Sequence, residues 1–414
     1  VREDQAVLIE RVASHHASDG VTEQAPDLAL EVGLAHADVL VLDLDGHLAY
    51  HAVDLGEDAV ELLLLLPELD HAGGDADAPA GENQPAGMPA GKEQPSGREY
   101  ISGQELCSRF GVSRTAVWKV INQLKEEGYE IEAVQNKGYR LKASPDVIGE
   151  IELGSRLQTR GEGHWAGNSL IYYPSTGSTN IDAKRAAEDG APEGTLVVTD
   201  CQNTGRGRRG RDWSSPQGCN LYFTLLLRPD CSPDQACMLT LVMALAVAEA
   251  VNELGLEAGI KWPNDIVLSG KKICGILTEM SAEPDYIHYV VIGCGINVNQ
   301  EEFPSEISRT ATSLRLEKGE KISRSALLVS VMDHFEEAYG AFRKTWDLTE
   351  LLPSYHRFLL NKDARVRVLD PKGEFDGIAR GINEKGELLV ETEQNGIVNV
   401  YAGEVSVRGV YGYV

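Results

Sequence analysis

Between Gly205 and Arg211 the chain sets four arginines among three glycines, Gly205-Arg206-Gly207-Arg208-Arg209-Gly210-Arg211, and Trp213 follows two residues later. The protein as a whole is acidic, with a net charge of −26, so solubility does not require such a segment. Glycines let a backbone approach a ligand closely and move. Arginines supply fixed forks of donors for phosphate or carboxylate. Together they point to a loop that wraps an anion, with nonspecific contact to nucleic acid as the bland alternative.

The same run satisfies G-x-G-x-x-G, and Asp230 lies twenty residues beyond Gly210. A dinucleotide fold is nevertheless rejected. That fingerprint needs a helix to begin inside the glycine run, so that its N-terminus meets the pyrophosphate. Here Asp212-Trp213-Ser214-Ser215-Pro216-Gln217-Gly218 is loop chemistry. Leu221 to Leu227 then reads as a buried strand. With another strand at Thr195 to Thr199, the order is strand, basic loop, strand.

Other polar groups fall at the ends of elements. Ser178, Thr179 and Asn180 offer hydroxyls and an amide where a helix starts, and Gln202 precedes the arginine loop. Lys261 and Asp265 bracket a Trp-Pro turn, Lys272 begins an otherwise apolar strand, and Asn297 ends one. Each also has a purely architectural reading: a helix cap for Ser178, a solvated strand end for Lys272, a turn former for Asn297.

The elements that must hold these groups read as α/β over residues 146–355. Strands are predicted at Leu170 to Tyr173, on both sides of the arginine loop, over 260–268 with a turn inside, at Lys271 to Glu279 and at Tyr289 to Asn297. Helices are predicted from the Ser-Thr-Asn run to Asp189, from about Asp234 to Leu254, and over 323–345. Residues 362–414 change to short strands between Pro371-Lys372-Gly373, Asn383-Glu384-Lys385-Gly386 and Gln394-Asn395-Gly396, which predicts a small β-barrel.

Residues 98–143 read as a winged helix-turn-helix. A short helix from Ser102 ends at Gly111, Ser113 caps a second helix from Arg114 to Glu127, and Gly128 stops it. A hairpin follows, turning at Asn136-Lys137-Gly138. The second helix would enter a major groove with Ser113, Arg114, Thr115 and Lys119 near its start. The segment holds eight Lys/Arg against six Glu, a weak basic excess. Protein contact is the alternative use. A three-helix version needs a helix just before Tyr100, and residues 80–97, with three prolines and four glycines, do not predict one. A helix at Asp58 to Leu66 could substitute.

At 414 residues the chain needs two or three cores. Seven scattered cysteines form no C-x-x-C pair, which argues against a zinc site or disulfide framework and for reduced thiols in the cytoplasm. The most apolar run, Ala236 to Val251, is interrupted by Thr240 and Glu249 and reads as a core helix, so no membrane span is expected. The N-terminus lacks a basic n-region, and no signal peptide is expected. Residues 1–97 hold 20 Asp/Glu against 3 Lys/Arg, and their Gly/Pro/Ala stretch over 72–91 predicts an extended linker.

Five motifs occur in order: Ser178-Thr179-Asn180; Gln202-x-x-Gly-Arg-Gly-Arg-Arg-Gly-Arg-x-Trp213; Lys261-Trp-Pro-Asn-Asp265; Lys271-Lys-Ile-x-Gly-Ile-Leu277; and Gly293-x-Gly-Ile-Asn297. On these residues the chain from about 98 to 414 resembles the bifunctional biotin protein ligases that also act as biotin operon repressors. Residues 1–97 match nothing in that family. They are expected to be foreign to it, through a misassigned start or misjoined frame, with a regulatory acidic extension as the rival reading.

The resemblance implies an α+β multidomain fold: a winged helix-turn-helix (98–143), a central α/β catalytic domain (146–355) and a C-terminal Src-homology-3-like β-barrel (362–414). It implies ATP-dependent formation of biotinyl-5′-AMP, then transfer to a lysine of the biotin carboxyl carrier protein of acetyl-CoA carboxylase. Carried over by position, Ser178, Thr179, Asn180, Gln202, Arg206, Gly207, Arg208 and Lys272 bind biotin, with Arg208 and Lys272 catalytic. Trp213, Lys261, Asp265 and Asn297 serve the nucleotide, and Asp265 the magnesium. Ser113, Arg114, Thr115 and Lys119 face operator DNA, and the adenylate-bound protein forms a homodimer. The alternatives are a lipoate–protein ligase and a ligand-sensing repressor without catalysis.

Overall fold

The computed structural model describes residues 37–42, 48–53, 62, 100–126, 128–143, 146–370, 373–402 and 406–409. The chain divides into two units, Val1–Leu55 and Gly56–Val414. In the first, β1 (Ala37–Leu42) pairs antiparallel with β2 (Leu48–Val53). The expected linker over 72–91 and, apart from buried Leu62, the helix expected at 58–66 lie outside the described residues.

In the second unit, α1 (Gly103–Phe110) begins where the Ser102 hydroxyl accepts the Glu105 N–H at 3.1 Å, and ends on Gly111 in the left-handed region. The Ser113 hydroxyl accepts the Ala116 N–H at 3.2 Å and so caps α2 (Arg114–Glu126). Val117, Val120, Ile121 and Leu124 form the buried stripe of α2, the i, i+3, i+4, i+7 spacing of an amphipathic helix. The wing is β3 (Glu130–Val134) paired with β4 (Gly138–Ala143). Gly138 takes a positive φ and lies against the Ile101 carbonyl, where any side chain would collide. The Tyr129 hydroxyl donates to the buried Glu152 carboxylate at 2.8 Å, tying the wing to α3 (Glu150–Gln158).

The central sheet contains β5 (Ser169–Tyr173), β6 (Thr195–Thr199), β7 (Leu221–Leu227), β8 (Gly259–Lys261), β9 (Asp265–Leu268), β10 (Lys271–Glu283) and β11 (Tyr286–Ile296), in the order β5-β6-β7-β11-β10-β9-β8. Only β5 and β6 are parallel, and α4 (Thr179–Glu188) makes the crossover between them. The arginine loop joins β6 to the antiparallel β7, so no α-helix opens inside its glycine run and the dinucleotide fold is absent.

The single helix expected from about Asp234 to Leu254 is divided into α5 (Pro233–Ala236) and α6 (Leu239–Glu253). A capping box between Ser232 and Gln235 closes the first turn, and tight bonds from Met238 N to Gln235 O and Leu241 N to Met238 O interrupt the ladder. Helix α6 is buried along most of its surface, with Thr240, Glu249, Asn252 and Glu253 its polar residues. It is long enough with α5 to cross a membrane by composition, but 72% of that window is buried within the protein. It packs on the sheet and on α8 (Arg324–Thr345), which follows the short α7 (Leu314–Lys318). Each large apolar side chain buried here contributes roughly 1.5–3 kcal/mol.

After α9 (Leu352–Phe358), five antiparallel strands close the fold: β12 (Arg365–Leu369), β13 (Phe375–Ile382), β14 (Leu388–Thr392), β15 (Gly396–Val400) and β16 (Ser406–Gly409), ordered β15-β14-β13-β12-β16. Their core of Val366, Val368, Leu388 and Val390 is continuous with that of the central sheet. The fully buried Trp262 spans the junction, donating its indole N–H to the Gly386 carbonyl at 3.0 Å.

Candidate active site

Ser178 stands at the N-cap position of α4, yet its hydroxyl makes no cap bond. Gln202 does that work from the other side of the site: its Oε1 accepts the Thr179 N–H at 3.0 Å, while its Nε2 donates to Ser215 Oγ at 3.1 Å. The buried Ser178 hydroxyl is therefore left to line a cavity. Asn180 donates to the Leu277 carbonyl at 3.1 Å and to Glu279 at 2.8 Å, and its Oδ1 lies 2.8 Å from the Thr224 hydroxyl. Burial pushes the Glu279 carboxyl up, but hydrogen bonds from Lys184 and Asn180 outweigh it and hold the group below its ordinary value. Glu279 thus stays an acceptor and fixes the Asn180 amide.

The arginine loop is a narrow hairpin. Gly207 N donates to Arg211 O at 2.7 Å and Trp213 N to Gly205 O at 2.9 Å. A Cβ on Gly205 would lie 2.6 Å from the Trp213 carbonyl oxygen, closer than real side chains come. The tip, Arg208 to Gly210, is a 3-10 turn with Arg209 at φ 61°. Arg208 folds inward and donates to Asn264 Oδ1 at 2.8 Å and to the Ala402 carbonyl at 2.6 Å. Burial foremost, with Arg209 and Arg211 adding and Asp265 opposing, lowers its pKa from the ordinary value. A guanidinium remains a cation through such a change.

Trp213 lies on a floor of glycines. A Cβ at Gly295 would overlap its indole, one at Gly275 would crowd both the ring and the Lys272 ammonium, and one at Gly293 would overlap the Asn180 amide. This is the physical reason for the Gly-x-Gly spacing before Ile296 and Asn297. The Trp213 Nε1 donor is buried with no hydrogen-bond partner among the described residues. Lys272 Nζ sits 5.1 Å from the Trp213 ring centre and 2.6 Å from Asp265 Oδ1, so it is not a solvated strand end.

Two cavities adjoin here. The smaller, about 50 Å³, is lined by Ser178, Thr179, Asn180, Gln202, Arg206 and the three glycines 275, 293 and 295. The larger, about 270 Å³, is lined by Arg209, Arg211, Asp212, Asp265, Asn297, Gln300 and Phe303, among others. Gly207, Arg208, Trp213, Asn264 and Lys272 line both. All eight residues expected around biotin line the smaller cavity, and Trp213, Asp265 and Asn297 line the larger. Lys261 lines neither; it is buried at the end of β8, opposite Asp265 in the ladder. Asn297 also has an architectural bond, donating to the Thr312 carbonyl at 3.1 Å. Sequence reasoning missed Asn264, although it sits inside the quoted Lys-Trp-Pro-Asn-Asp run. It also missed Thr224, Glu279 and the Ala402 carbonyl. On the winged helix, Ser113, Arg114, Thr115 and Lys119 are all exposed, the Ser113 hydroxyl serving as a cap.

The chain matches the biotin/lipoate A/B protein ligase family over residues 172–297, an HTH domain over 96–140 and the biotin protein ligase C terminal domain over 364–408. It is 43% identical over 310 residues to the bifunctional ligase/repressor BirA of Bacillus subtilis, spanning 74% of this chain and 94% of that one. The chain belongs to the bifunctional biotin ligase/repressor family. The Escherichia coli bifunctional ligase/repressor BirA is 31% identical over 317 residues, 75% of this chain and 94% of that protein. Among solved structures, the biotin protein ligase from Aquifex aeolicus in complex with biotin and ATP aligns with a TM-score of 0.52 at 34% identity, covering 58% of this chain and 99% of that one. The family's three parts, an N-terminal helix-turn-helix, a catalytic sheet and a C-terminal domain of antiparallel strands, are all present, in that order.

Proposed function

We propose that this protein joins biotin to a lysine of a biotin carboxyl carrier protein at the expense of ATP, and represses transcription of biotin genes when loaded with the adenylate. The observation that carries the first part is the meeting of two cavities at Arg208 and Lys272. A small cavity ringed by hydroxyl and amide groups suits the ureido ring of biotin. A larger one with arginines and Trp213 suits a nucleotide. Where they meet, two anions must approach each other.

In the first step a biotin carboxylate oxygen attacks the α-phosphorus of ATP. A P–O bond forms, the bond to the bridging oxygen breaks, and pyrophosphate leaves with the electron pair. Arg208 and Lys272 offset the repulsion between nucleophile and polyanion and stabilise the charge that develops on phosphorus. In the second step a neutral lysine amine of the carrier attacks the acyl carbon. A C–N bond forms, the acyl C–O bond breaks, AMP leaves, and the amine proton passes to solvent. The arginine loop, closing over the adenylate, excludes water until the carrier arrives.

Asp265 and Asp212 are hard oxygen donors in the larger cavity, and with substrate phosphates they fit a magnesium ion, which prefers such sets. The ion would neutralise phosphate charge there. The domains act over residues 98–143, 146–355 and 362–414. The face of α2 bearing Ser113, Arg114, Thr115 and Lys119 enters operator DNA as part of a homodimer. The unpaired cysteines among the described residues suit a cytoplasmic setting.

The test uses the intact protein with labelled biotin, ATP, magnesium and a carrier domain. Label is expected on the carrier only when ATP is present. Binding of biotin and ATP without transfer would leave a ligand-sensing repressor, and preference for lipoate over biotin would replace the substrate.

A further inference from the structure

Of the chain's five tryptophans, four are buried or half-buried, while Trp118 is 58% exposed. It lies on the exposed flank of α2, outside the buried stripe of Val117, Val120, Ile121 and Leu124. On the helix surface it neighbours Arg114 and Thr115, four and three positions earlier, and adjoins Lys119. All four of these residues are exposed. The only carboxylate described in α2 is Glu126, at its far end. An indole among two cations and a hydroxyl, on a helix whose one described carboxylate lies about two turns further on, in a protein of net charge −26, is complementary to a polyanion and not to another copy of this acidic chain. Arg114 and Lys119 suit phosphates and guanine edges. Neither supplies apolar contact. The one apolar group a B-form major groove presents is the thymine 5-methyl.

We propose that Trp118 reads a thymine methyl group in the major groove and so sets sequence preference at one base pair of each half-site. This rests on the DNA-binding reading above. It adds a base-reading residue to Ser113, Arg114, Thr115 and Lys119, the four expected from sequence.

The experiment uses the full chain with biotin, ATP and magnesium, and a duplex selected by that protein from a random-sequence pool. Each thymine of the selected duplex is replaced in turn by deoxyuridine, which removes only the methyl. Wild-type protein is expected to lose affinity by about 3- to 10-fold at one thymine of each half-site. Trp118→Ala is expected to bind the thymine duplex about 10-fold more weakly and to be indifferent to that uracil, with the salt dependence unchanged because no phosphate contact is lost. Trp118→Phe should restore part of the discrimination. Unaltered biotin transfer by both variants would show that the fold is intact. A Trp118→Ala protein that keeps the full uracil penalty, or binds as wild type does, overturns the proposal. Weaker sedimentation of the variant as a dimer, with base discrimination intact, would assign Trp118 to self-association and overturn it as well. If the wild-type protein selects no duplex, the DNA-binding reading itself falls, and this assignment with it.

Discussion

The cations of the catalytic sheet and those of the winged helix are held in opposite ways. Arg208 is latched to Asn264 and the Ala402 carbonyl, and Lys272 to Asp265 and the Trp213 ring. On α2, Lys119 is exposed, and Arg114 is exposed with a single neutral partner, Gln104. The difference follows from the target. A transition state inside a cavity is stabilised best by charges already in place, because they need not reorganise. A DNA duplex brings its own dense charge, and long side chains that release its counterions can settle on it after contact.

The largest expected effect that would break this comparison comes from Lys272→Met. Adenylate formation should fall about 10²- to 10³-fold in kcat, measured by single-turnover release of pyrophosphate. A small loss would mean that Lys272 only anchors Asp265. Arg208→Gly should act next most strongly, and on retention: removing two charge-assisted hydrogen bonds from the closed loop should speed adenylate dissociation about 10- to 100-fold. A filter-binding chase would register it. Gly295→Ala and Gly293→Ala sharpen the division between the cavities. The first displaces Trp213 and should raise the ATP KM about tenfold. The second displaces Asn180 and should raise the biotin KM by a similar factor, each costing about 1–3 kcal/mol of stability through overpacking. Equal effects of both variants on both substrates would erase the distinction. The smallest effect on transfer, none, is expected of Lys119→Ala, whose signature should be a salt slope for duplex binding lower by about 0.9.

The winged helix was legible almost to the residue because its boundaries are local chemistry: Ser102 and Ser113 cap, Gly111 and Gly128 stop. The central strands were legible in their positions along the chain, but the stretch over 260–268, read as one strand with a turn inside, is two strands, β8 and β9, paired with each other. The hairpin of β10 and β11 is longer than its apolar alternation suggested, because Met280 to Glu283 pair with Tyr286 to Val290 through a bulge at its far end. At the site, every residue expected from motif resemblance except Lys261 lines one of the two cavities. What escaped was what folding brings from afar. Ala402 acts through a backbone carbonyl beside the second sheet, which no side chain announces. Glycines 275, 293 and 295 acquire meaning only once Trp213 and Asn180 are laid across them. Lys261 looked like its neighbours in the Trp-Pro turn, but it is buried at the end of β8 and lines neither cavity.

The central claim is that biotin and ATP meet at the junction lined by Arg208 and Lys272. Biotin-dependent exchange of labelled pyrophosphate into ATP tests it most directly, because it reports the first step alone and needs no carrier. Wild-type protein is expected to exchange only when biotin is present, and Lys272→Met to lose exchange while still binding biotin by calorimetry. Undiminished exchange by Lys272→Met, or exchange by the wild type that is indifferent to biotin, would contradict the claim.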